Sequence, residues 1–435
     1  MTFPAYPEYK DSDDEWLGKV PSHWVKTRIK HTLSFMGSGG TPETSNVDYW
    51  ANSGEEGHFW VAIGDMSDRD FLATTSKKIT ENGRASKKLQ IWPKGTLLFS
   101  MYASLGHVVE LHVPAATNQA ILALVPNPNT DQSFLKRWFQ FYRPHLGEFA
   151  SSNTQDNLNA EKVSNLVFLC PPLNEQRSIA NFLDHETAKI DALIAEQEKL
   201  IDLLNEKRQS VISNAVCRGL DSNVPMKDSG VEWLGMVPEH WHVLPLKRFF
   251  KLIVDVAPND NDFELLSLYT GIGVRPRKEL EARGNRASTT DGYFKVAKGD
   301  IVVNKLLAWM GAIGISEYDG VTSPAYDILR AQISLSSHYY DYLFRCGLLN
   351  TEFRRYSRGI MDMRLRLYFE EFGQFLMPFP PYEEQLKIVQ ALNNMLDSFD
   401  KLGSEASKAI ELLQERRSAL ISAAVTGQID VRNHQ

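Results

Sequence analysis

The sequence predicts an α+β fold with two mainly-β globular domains in a pseudo-two-fold arrangement, separated by an antiparallel pair of long, coiled-coil-like helices. Three observations predict this fold. The chain contains a long internal repeat, each copy of the repeat includes a long helical segment with an apolar stripe, and the blocks between these segments consist mainly of short β-type runs.

A tandem duplication accounts for the length of the chain. A tryptophan motif, DSDDEWLGKVPSHW at residues 11–24, recurs as DSGVEWLGMVPEHW at residues 228–241, with ten of fourteen positions identical. A second element, PPLNEQ at 171–176, recurs as PPYEEQ at 380–385. Two copies of a whole module in one chain imitate a two-fold homodimer. The predicted domains are a first globular domain at 1–168, a first spacer helix at 169–222, a second globular domain at 223–376 and a second spacer helix at 377–435.

The spacer segments predict two long helices. A double proline opens the first, and no further Pro or Gly follows until Gly219, which predicts a helix from about Asn174 to Cys217. Apolar residues recur with heptad-like spacing at Ile190, Leu193, Leu200, Leu204 and Val211, and in the second copy at Phe399, Leu402, Ala409, Leu413 and Leu420. Neither helix can bury its stripe alone, so we expect the two to pack together. The alternative is a pair of ordinary core helices in separate domains.

The globular blocks predict α+β domains that are mainly β. Runs such as GTLLFSMY and AILALVP in the first block and GDIVVNKLLAW and DILRAQISL in the second are typical of strands. Helices are predicted near Phe134–Tyr142 and Tyr339–Asn350. The blocks share a faint frame, for example Gly106 with Gly311, but they have diverged much further than the segments around them.

Composition excludes several classes of protein. The 435 residues are 43% hydrophobic and 23% charged, which is typical of a folded chain and excludes a disordered or fibrous one. Three scattered cysteines argue against a disulfide framework and favour a reducing compartment. No apolar run approaches the roughly 20 residues that span a bilayer, and the first residues show no secretory signal. We therefore expect a cytoplasmic protein.

The net charge of −7 alone would argue against a nucleic-acid partner. Divided along the repeat, however, the repeated elements carry −10 and the two divergent blocks carry +3. The acidity therefore belongs to the repeated frame, and the divergent blocks are compatible with DNA binding.

No catalytic constellation emerges from the motifs. Phe379-Pro380-Pro381-Tyr382 has the outline of a methyltransferase tetrapeptide, but phenylalanine in the first position offers no oxygen to accept the amino hydrogens of a base. The chain has no phosphate-binding loop and no dinucleotide fingerprint, and its histidines lack metal-ligand spacing. We therefore predict no catalytic residue, no metal site and no cofactor bound by this chain.

Basic clusters in the divergent blocks predict a DNA interface. Arginine reads guanine edges, Asn and Gln read adenine, and Lys contacts phosphates. The alternative interpretation of these clusters is a charged face that is exposed to solvent and binds nothing. In the first block the predicted contacts are Gly39, Gly40, Thr41, Lys77, Lys78, Arg84, Lys87, Lys88, Tyr102, Ser104, Ser152, Thr154, Gln155 and Asn157. In the second block they are Arg275, Arg277, Lys278, Arg283, Arg286, Lys305, Arg354, Arg358, Arg364 and Arg366.

In combination, these motifs resemble the specificity subunit of type I restriction-modification systems. The similarity includes GGTPETSNVDYW from Gly39, FKVAKGDIVVNKLLAWMGAIG from Phe294, the PPL/PPY-x-EQ elements and the EWLGxVPxHW motif, and it covers essentially the whole chain. The resemblance implies two target-recognition domains that each read half of a bipartite, asymmetric DNA target, while the helices fix the gap. One departure is that the chain has no short tandem repeat between its halves.

The resemblance further implies that the subunit is not an enzyme. Two methyltransferase subunits would carry S-adenosylmethionine. Two restriction subunits are optional further partners, which would bring ATP and Mg²⁺. We expect partner contacts, or structural packing near the helix ends, at the repeated positions Trp16, Trp24, Trp233, Trp241, Glu175, Gln176, Glu384 and Gln385.

Two functions of other classes remain open from the sequence. One is a stand-alone DNA-modifying enzyme, a methyltransferase or nuclease with an unrecognised active site. The other is a structural adaptor that binds only protein.

Overall fold

The computed structural model describes residues 3–14, 16–52, 54–67, 69–102, 105–149, 158–280, 290–359 and 365–433. By its internal contacts the chain divides into two units. Unit 1 comprises residues 1–196 and 409–435, and unit 2 comprises residues 197–408. Both long helices contribute a part to each unit.

Unit 1 contains short strands, short helices and a part of each long helix. Its strands are β1 (Tyr9–Asp11), β2 (Lys19–Pro21), β3 (Val25–Arg28), β4 (Leu33–Ser38), β5 (Trp50–Ala51), β6 (His58–Val61), β7 (Phe71–Leu72), β8 (Lys77–Ile79), β9 (Leu97–Ser100), β10 (Val108–Leu111), β11 (Ala115–Thr117), β12 (Ile121–Pro126) and β13 (Val167–Cys170). Its short helices are α1 (Ile63–Met66), α2 (Glu81–Ser86), α3 (Gln132–Tyr142), α4 (Leu146–Phe149) and α5 (Ala160–Asn165). The first long helix, α6, runs over Leu173–Arg218.

Unit 2 repeats this composition. Its strands are β14 (Met226–Asp228), β15 (Met236–Pro238), β16 (His242–Pro245), β17 (Phe250–Ile253), β18 (Leu266–Tyr269), β19 (Gly273–Pro276), β20 (Phe294–Val296), β21 (Ile301–Asn304), β22 (Ile313–Ile315), β23 (Gly320–Thr322), β24 (Tyr326–Ala331) and β25 (Leu376–Phe379). Its helices are α7 (Arg277–Leu280), α8 (Ser337–Arg345), α9 (Asn350–Tyr356), α10 (Phe369–Phe372) and the second long helix, α11 (Tyr382–Val425).

Three sheet elements correspond between the units. The hairpin β1-β2 corresponds to β14-β15, and the pair β3-β13 corresponds to β16-β25. A central antiparallel sheet with the order β4-β12-β9-β10 corresponds to β17-β24-β21-β22. In unit 1 this sheet gains β7, which pairs parallel to β10. The duplication seen in the sequence is therefore a duplication of topology.

The units differ in their second sheet. Unit 1 has a four-stranded sheet with the order β11-β6-β8-β5, in which β11 runs parallel to β6. In the corresponding part of its sequence, unit 2 has the two-stranded pairs β18-β19 and β20-β23. The divergence of the blocks is therefore concentrated outside the central sheet.

Within each unit, segments of α6 and α11 pack together in opposite directions. In unit 1, Asp191 of α6 accepts a 2.8 Å hydrogen bond from Nε of Arg417 of α11, and Ile179 shares a buried core with Val425. In unit 2, Arg208 of α6 pairs with Asp400 of α11, and Val216 shares a core with Leu392. In both units, residue numbers fall along one helix as they rise along the other, so the predicted antiparallel pair is confirmed.

The apolar stripe is less buried than its spacing predicts. Ile190 is buried, but Leu193, Leu200 and Leu402 keep 45%, 40% and 47% of their surface exposed. Two helices alone cannot cover a wide apolar face, because each shields only one side of the other. The two helices pack together as predicted, and at these three positions the stripe is only partly covered.

Candidate functional site

The tryptophan motif of unit 1 holds the start of α6. Glu175, in the first turn of this helix, is 4% exposed and accepts a 2.9 Å hydrogen bond from Nε1 of Trp24. Its other carboxylate oxygen lies 2.8 Å from Nε2 of His23. The next residue, Gln176, donates a 2.8 Å bond to the carbonyl of Pro171 and accepts one from the amide of Asp131. We call this set of contacts, between the tryptophan motif and the first turn of the long helix, the tryptophan clamp.

Unit 2 repeats the clamp with one difference. Nε2 of His240 lies 2.7 Å from Glu384, and Gln385 accepts a 2.8 Å hydrogen bond from the amide of Ser336. Trp241 is fully buried like Trp24, but its Nε1 has no hydrogen-bond partner in the described part of the chain. The two clamps are equivalent in position but not in hydrogen bonding.

These contacts change the expectation about partner residues. Trp24, Trp241, Gln176 and Gln385 are all completely buried within their own units, so a partner cannot reach them. Of the two remaining tryptophans, Trp16 is 39% exposed and stacks on Phe141 with ring centroids 5.4 Å apart, while Trp233 packs against the core of unit 2. The repeated motif is conserved between the copies because it joins strands to helix, a role that requires no partner.

The glycine loop of unit 1 has a structural requirement. A Cβ atom on Gly39 would lie 1.7 Å from the carbonyl oxygen of Thr117, so only glycine permits this approach of the chain to β11. The carbonyl of Gly40 accepts a 2.9 Å bond from Nε1 of Trp60, and the Thr41 hydroxyl bonds Gln119 at 2.7 Å. The loop is thus tied to the second sheet, and Gly39 in particular is explained without a ligand.

The basic cluster of the first block separates into two kinds of residue. Arg84 makes hydrogen bonds of 2.9 and 2.6 Å to Glu81, and these bonds together with His58 lower the pKa of Glu81 to about 2. By contrast, Lys77 and Lys78 have no ion-pair carboxylate within 4.0 Å among the residues that the structure describes. Lys87, Lys88 and the 42% exposed Tyr102 likewise remain without an ion pair in the described structure. Within the described residues, no ion pair neutralises these lysines.

In the second block, several predicted contacts are already engaged. Lys305 bonds the carbonyl of Pro324 at 2.8 Å and pairs with Asp327 at 3.2 Å, although burial raises the pKa of the Asp327 carboxyl. Lys278 pairs with Glu264 at 2.5 Å, and Arg358 pairs with Glu371.

The other arginines of this block differ in their surroundings. Arg275 donates a 2.9 Å bond to the hydroxyl of Tyr318, and Arg354 lies over the ring of Trp309 at 5.4 Å. Arg277 lies in the short helix α7 and also has a partner. Arg366 is exposed, and its backbone pairs with that of Arg358. Among the predicted contacts of this block that the structure describes, Arg366 is the one without a side-chain partner in the described residues.

Some predicted contacts lie outside the described residues. These are Ser104, Ser152, Thr154, Gln155, Asn157, Arg283, Arg286 and Arg364.

Sequence reasoning missed two features. Trp50 and Phe59 lie beneath Lys77 and Lys78 in the second sheet of unit 1, at 5.2 and 5.0 Å from the ammonium groups to the ring centroids. Exposed leucines occur in register on the long helices: Leu193 and Leu412 in unit 1, and Leu203 and Leu402 in unit 2. Leu193 and Leu402, like Leu203 and Leu412, are separated by the repeat offset of 209 residues. This offset identifies them as equivalent positions, but the sequence does not show that their side chains are exposed.

Neither a metal centre nor a membrane helix is found in the described structure. Among the described residues, no group of three or more His, Cys, Asp or Glu side chains could hold a metal ion. None of the described helices has a stretch apolar and long enough to cross a bilayer.

Comparison with known proteins relates the chain to one family. Residues 21–202 match the family described as the type I restriction modification DNA specificity domain. The putative type I restriction enzyme MjaX specificity subunit of Methanocaldococcus jannaschii is 20% identical over 96% of both chains. The MjaIX specificity subunit of the same organism is 25% identical over 48% of this chain and 46% of its own length, so that this match spans about half of the relative.

A solved structure supports the same fold. A chain from a structure describing complex assembly and conformational transition of the type I R-M system aligns with a TM-score of 0.65. The alignment covers 93% of this chain and 98% of the other, at 16% sequence identity. At this identity the likeness establishes the fold alone.

Proposed function

We propose that this chain is a specificity subunit of the type I restriction-modification family and that it recognises a bipartite, asymmetric DNA sequence, with each unit reading one half. In this proposal the chain has no catalytic role. The long helices fix the gap between the two half-sites, and partner subunits modify or cut the DNA.

One observation carries the proposal. The units share their central sheet, their tryptophan clamp and their helix pair, whereas their second sheets differ in strand number and order. A protein that reads two different half-sites from one frame needs a constant scaffold and two variable surfaces. The division of shared and divergent elements meets that requirement, since the chemistry of base readout depends on which side chains face the grooves.

The helix pair supports two equivalent docking surfaces for partner subunits. In unit 1 the long helices expose Leu193 and Leu412, at 45% and 65%, and the positions equivalent to them by the repeat, Leu402 and Leu203 of unit 2, are exposed at 47% and 50%. The ion pairs between the helices place the members of each couple within about one turn of each other along the pair. We call these two couples the leucine patches.

Two identical apolar patches fit two identical partners. Contiguous exposed apolar patches mark protein contacts, whereas single exposed apolar residues are ordinary. The support for these docking surfaces is that the exposed leucines recur at equivalent positions in the two units. We propose that each leucine patch takes one methyltransferase subunit, with two restriction subunits as possible further partners. S-adenosylmethionine, ATP and Mg²⁺ would then belong to those partners, and the complex would act on double-stranded DNA in the cytoplasm.

Methylation mapping tests the proposal. The full chain is co-expressed with the type I methyltransferase subunit of its host, and the purified complex is incubated with S-adenosylmethionine and genomic DNA. We expect methylated adenines in a single two-part motif with a fixed gap, and no methylation by the chain alone. Methyl transfer by the chain alone would support a stand-alone enzyme and contradict the proposal.

The adaptor alternative makes a different prediction for the same complex. If the chain only bridges its partners, the complex methylates DNA without a two-part motif. Alternatively, the partner subunits show the same DNA specificity when the chain is left out. Either result would contradict DNA recognition by this chain.

A further inference from the structure

A cleft lies beside Trp233 in unit 2. Its volume is about 540 Å³, and its walls come from the turn that holds Trp233, from α9, from α10 and from the residues that lead into β25. Trp233 belongs to the tryptophan motif, but unlike the fully buried Trp241 it keeps part of its surface open to solvent. The tryptophan clamp of unit 2 does not use the Trp233 ring, which leaves the ring available to a ligand.

The cleft exposes apolar surface. Tyr356 and Leu376 in its lining are 45% and 40% exposed. The Tyr356 ring meets that of Phe375 edge to face, with ring centroids 4.8 Å apart, so that it is held in place while part of it stays in solvent. Exposed apolar residues that share one cleft form a contiguous patch, and such patches mark contact sites.

The described lining of the cleft is acidic. It contains four glutamates and one arginine: Glu232, Glu352, Glu370, Glu371 and Arg355. Glu371 pairs with Arg358, and Glu352 pairs with Arg355 at 3.8 Å. Glu232 and Glu370 are exposed, and neither has an ion pair among the described residues. The excess of negative charge favours a cationic ligand.

Unit 1 presents the opposite charge beside the equivalent tryptophan. Trp16 stacks on Phe141 at 5.4 Å and lies 6.0 Å from His145, measured between ring centroids. Arg143, between these two residues in the sequence, is exposed and has no ion pair within the described part of the chain. A cationic ligand that suits the surface beside Trp233 therefore does not suit the surface beside Trp16.

A basic peptide segment matches both properties of the cleft. Lys and Arg side chains combine an apolar stem with a cationic head, and the head is attracted by carboxylates and by the faces of aromatic rings. Apolar residues next to them in a peptide would cover Tyr356 and Leu376. A small amine would leave this apolar surface in water, and the phosphates of DNA would be repelled by the glutamates.

We propose that the cleft beside Trp233 docks a basic peptide segment of a protein partner. Glu232 and Glu370 pair with the Lys or Arg side chains of the segment, and Tyr356 packs against their stems. Because the surface beside Trp16 carries basic groups instead, one such segment binds per chain. The inference goes beyond the proposed function, since it distinguishes unit 2 from unit 1 in their protein contacts and does not depend on DNA recognition.

Fluorescence anisotropy tests the inference. The full chain is titrated with a short labelled peptide in which arginine and leucine alternate, and with a second peptide in which glutamate replaces each arginine. We expect one arginine–leucine peptide to bind per chain and the glutamate peptide not to bind. Glu232→Gln/Glu370→Gln should weaken binding about five- to tenfold at low salt, because two exposed ion pairs are lost. Added salt should reduce this difference.

Control variants separate a specific site from general attraction. Asp262→Asn/Glu279→Gln removes two exposed carboxylates of unit 2 that do not line the cleft, and it should leave the affinity unchanged. Tyr356→Ala should weaken binding, while Tyr356→Phe, which keeps the ring, should bind like the parent chain. Circular dichroism melting of each variant verifies that unit 2 remains folded.

Three outcomes would overturn the inference. Equal losses of affinity in the two double variants would show general electrostatic attraction. Two peptides bound per chain would contradict the difference between the units, and full competition by spermidine at the concentration of the peptide would indicate a site for small amines. None of these results concerns the methylated motif, so the inference can fail while the proposed function stands.

Discussion

The indole Nε1 of Trp24 donates a 2.9 Å hydrogen bond to the carboxylate of Glu175, and both side chains are almost completely excluded from solvent. The equivalent Trp241 is equally buried, but its Nε1 has no partner among the described residues. One duplicated motif thus supports two packings of the same ring, one with a charge-assisted hydrogen bond and one without.

This difference predicts unequal effects of the same substitution. Trp24→Phe removes a bond to a buried carboxylate, and Trp241→Phe removes a donor that had no acceptor. Because a hydrogen bond to a charged group contributes about 1.5–3 kcal/mol, Trp24→Phe should lower the free energy of unfolding by about that much more than Trp241→Phe. Denaturant unfolding of the two variants measures it, and equal losses would contradict the assignment of the bond.

The two glycines of the first loop should differ in the same way. Alanine at Gly39 would place its Cβ 1.7 Å from the Thr117 carbonyl, whereas the Cβ of alanine at Gly40 would lie 3.2 Å from the Leu89 side chain and 3.9 Å from that of Lys87. Gly39→Ala should therefore destabilise unit 1 by about 3 kcal/mol or more, and Gly40→Ala by much less. Thermal melting distinguishes them. If Gly39→Ala melted like the parent chain while DNA binding was lost, a direct DNA contact by Gly39 would replace the structural explanation.

The leucine patches predict a loss of assembly without a loss of fold. Leu412→Lys puts a charge on the patch of unit 1, and burying a leucine contributes about 1.5–3 kcal/mol, so the affinity for a methyltransferase subunit should fall about tenfold or more. Val25→Lys is the matched control, because Val25 is 61% exposed and lies in β3, outside the helix pair. Co-purification and calorimetric titration measure the effect, and equal affinities for both variants would exclude the patch.

The three cysteines should differ in reactivity. Burial raises the pKa of the Cys217 and Cys346 thiols, and of the half-buried Cys170 thiol, above the ordinary value. A raised pKa leaves less thiolate at a given pH, so alkylation at mildly alkaline pH should be slow in the native chain, with Cys170 modified first. Mass spectrometry after iodoacetamide treatment detects the order, and rapid labelling of Cys217 would contradict its burial.

The repeat made much of the fold predictable. The double proline before the segment and Gly219 after it predicted a helix from about Asn174 to Cys217, and the observed helix is Leu173–Arg218. This prediction needed only local sequence, because the residues that begin and end a helix lie within a few positions of its ends. Duplication then supplied the antiparallel partner, because a two-fold arrangement brings equivalent helices together in opposite directions.

The second sheet of unit 1 could not be derived in the same way. Its order depends on β11 pairing with β6, which brings Ala115 beside Phe59 across more than fifty residues of sequence. No local pattern encodes that choice. Trp50 and Phe59 therefore gave no sign of their place beneath the lysines, and Arg84 gave no sign that Glu81 neutralises it. The residues were visible in the sequence, but their pairings depend on tertiary structure.

Exchange of one recognition block tests most directly whether each unit reads one half-site. Residues 242–376 are replaced by the corresponding block of a family member with a different target, and the methylated motif of the resulting complex is mapped by modification-sensitive sequencing. If each unit reads one half-site, one half of the motif changes while the other half and the gap stay the same. A change in both halves would contradict the assignment of one half-site to each unit.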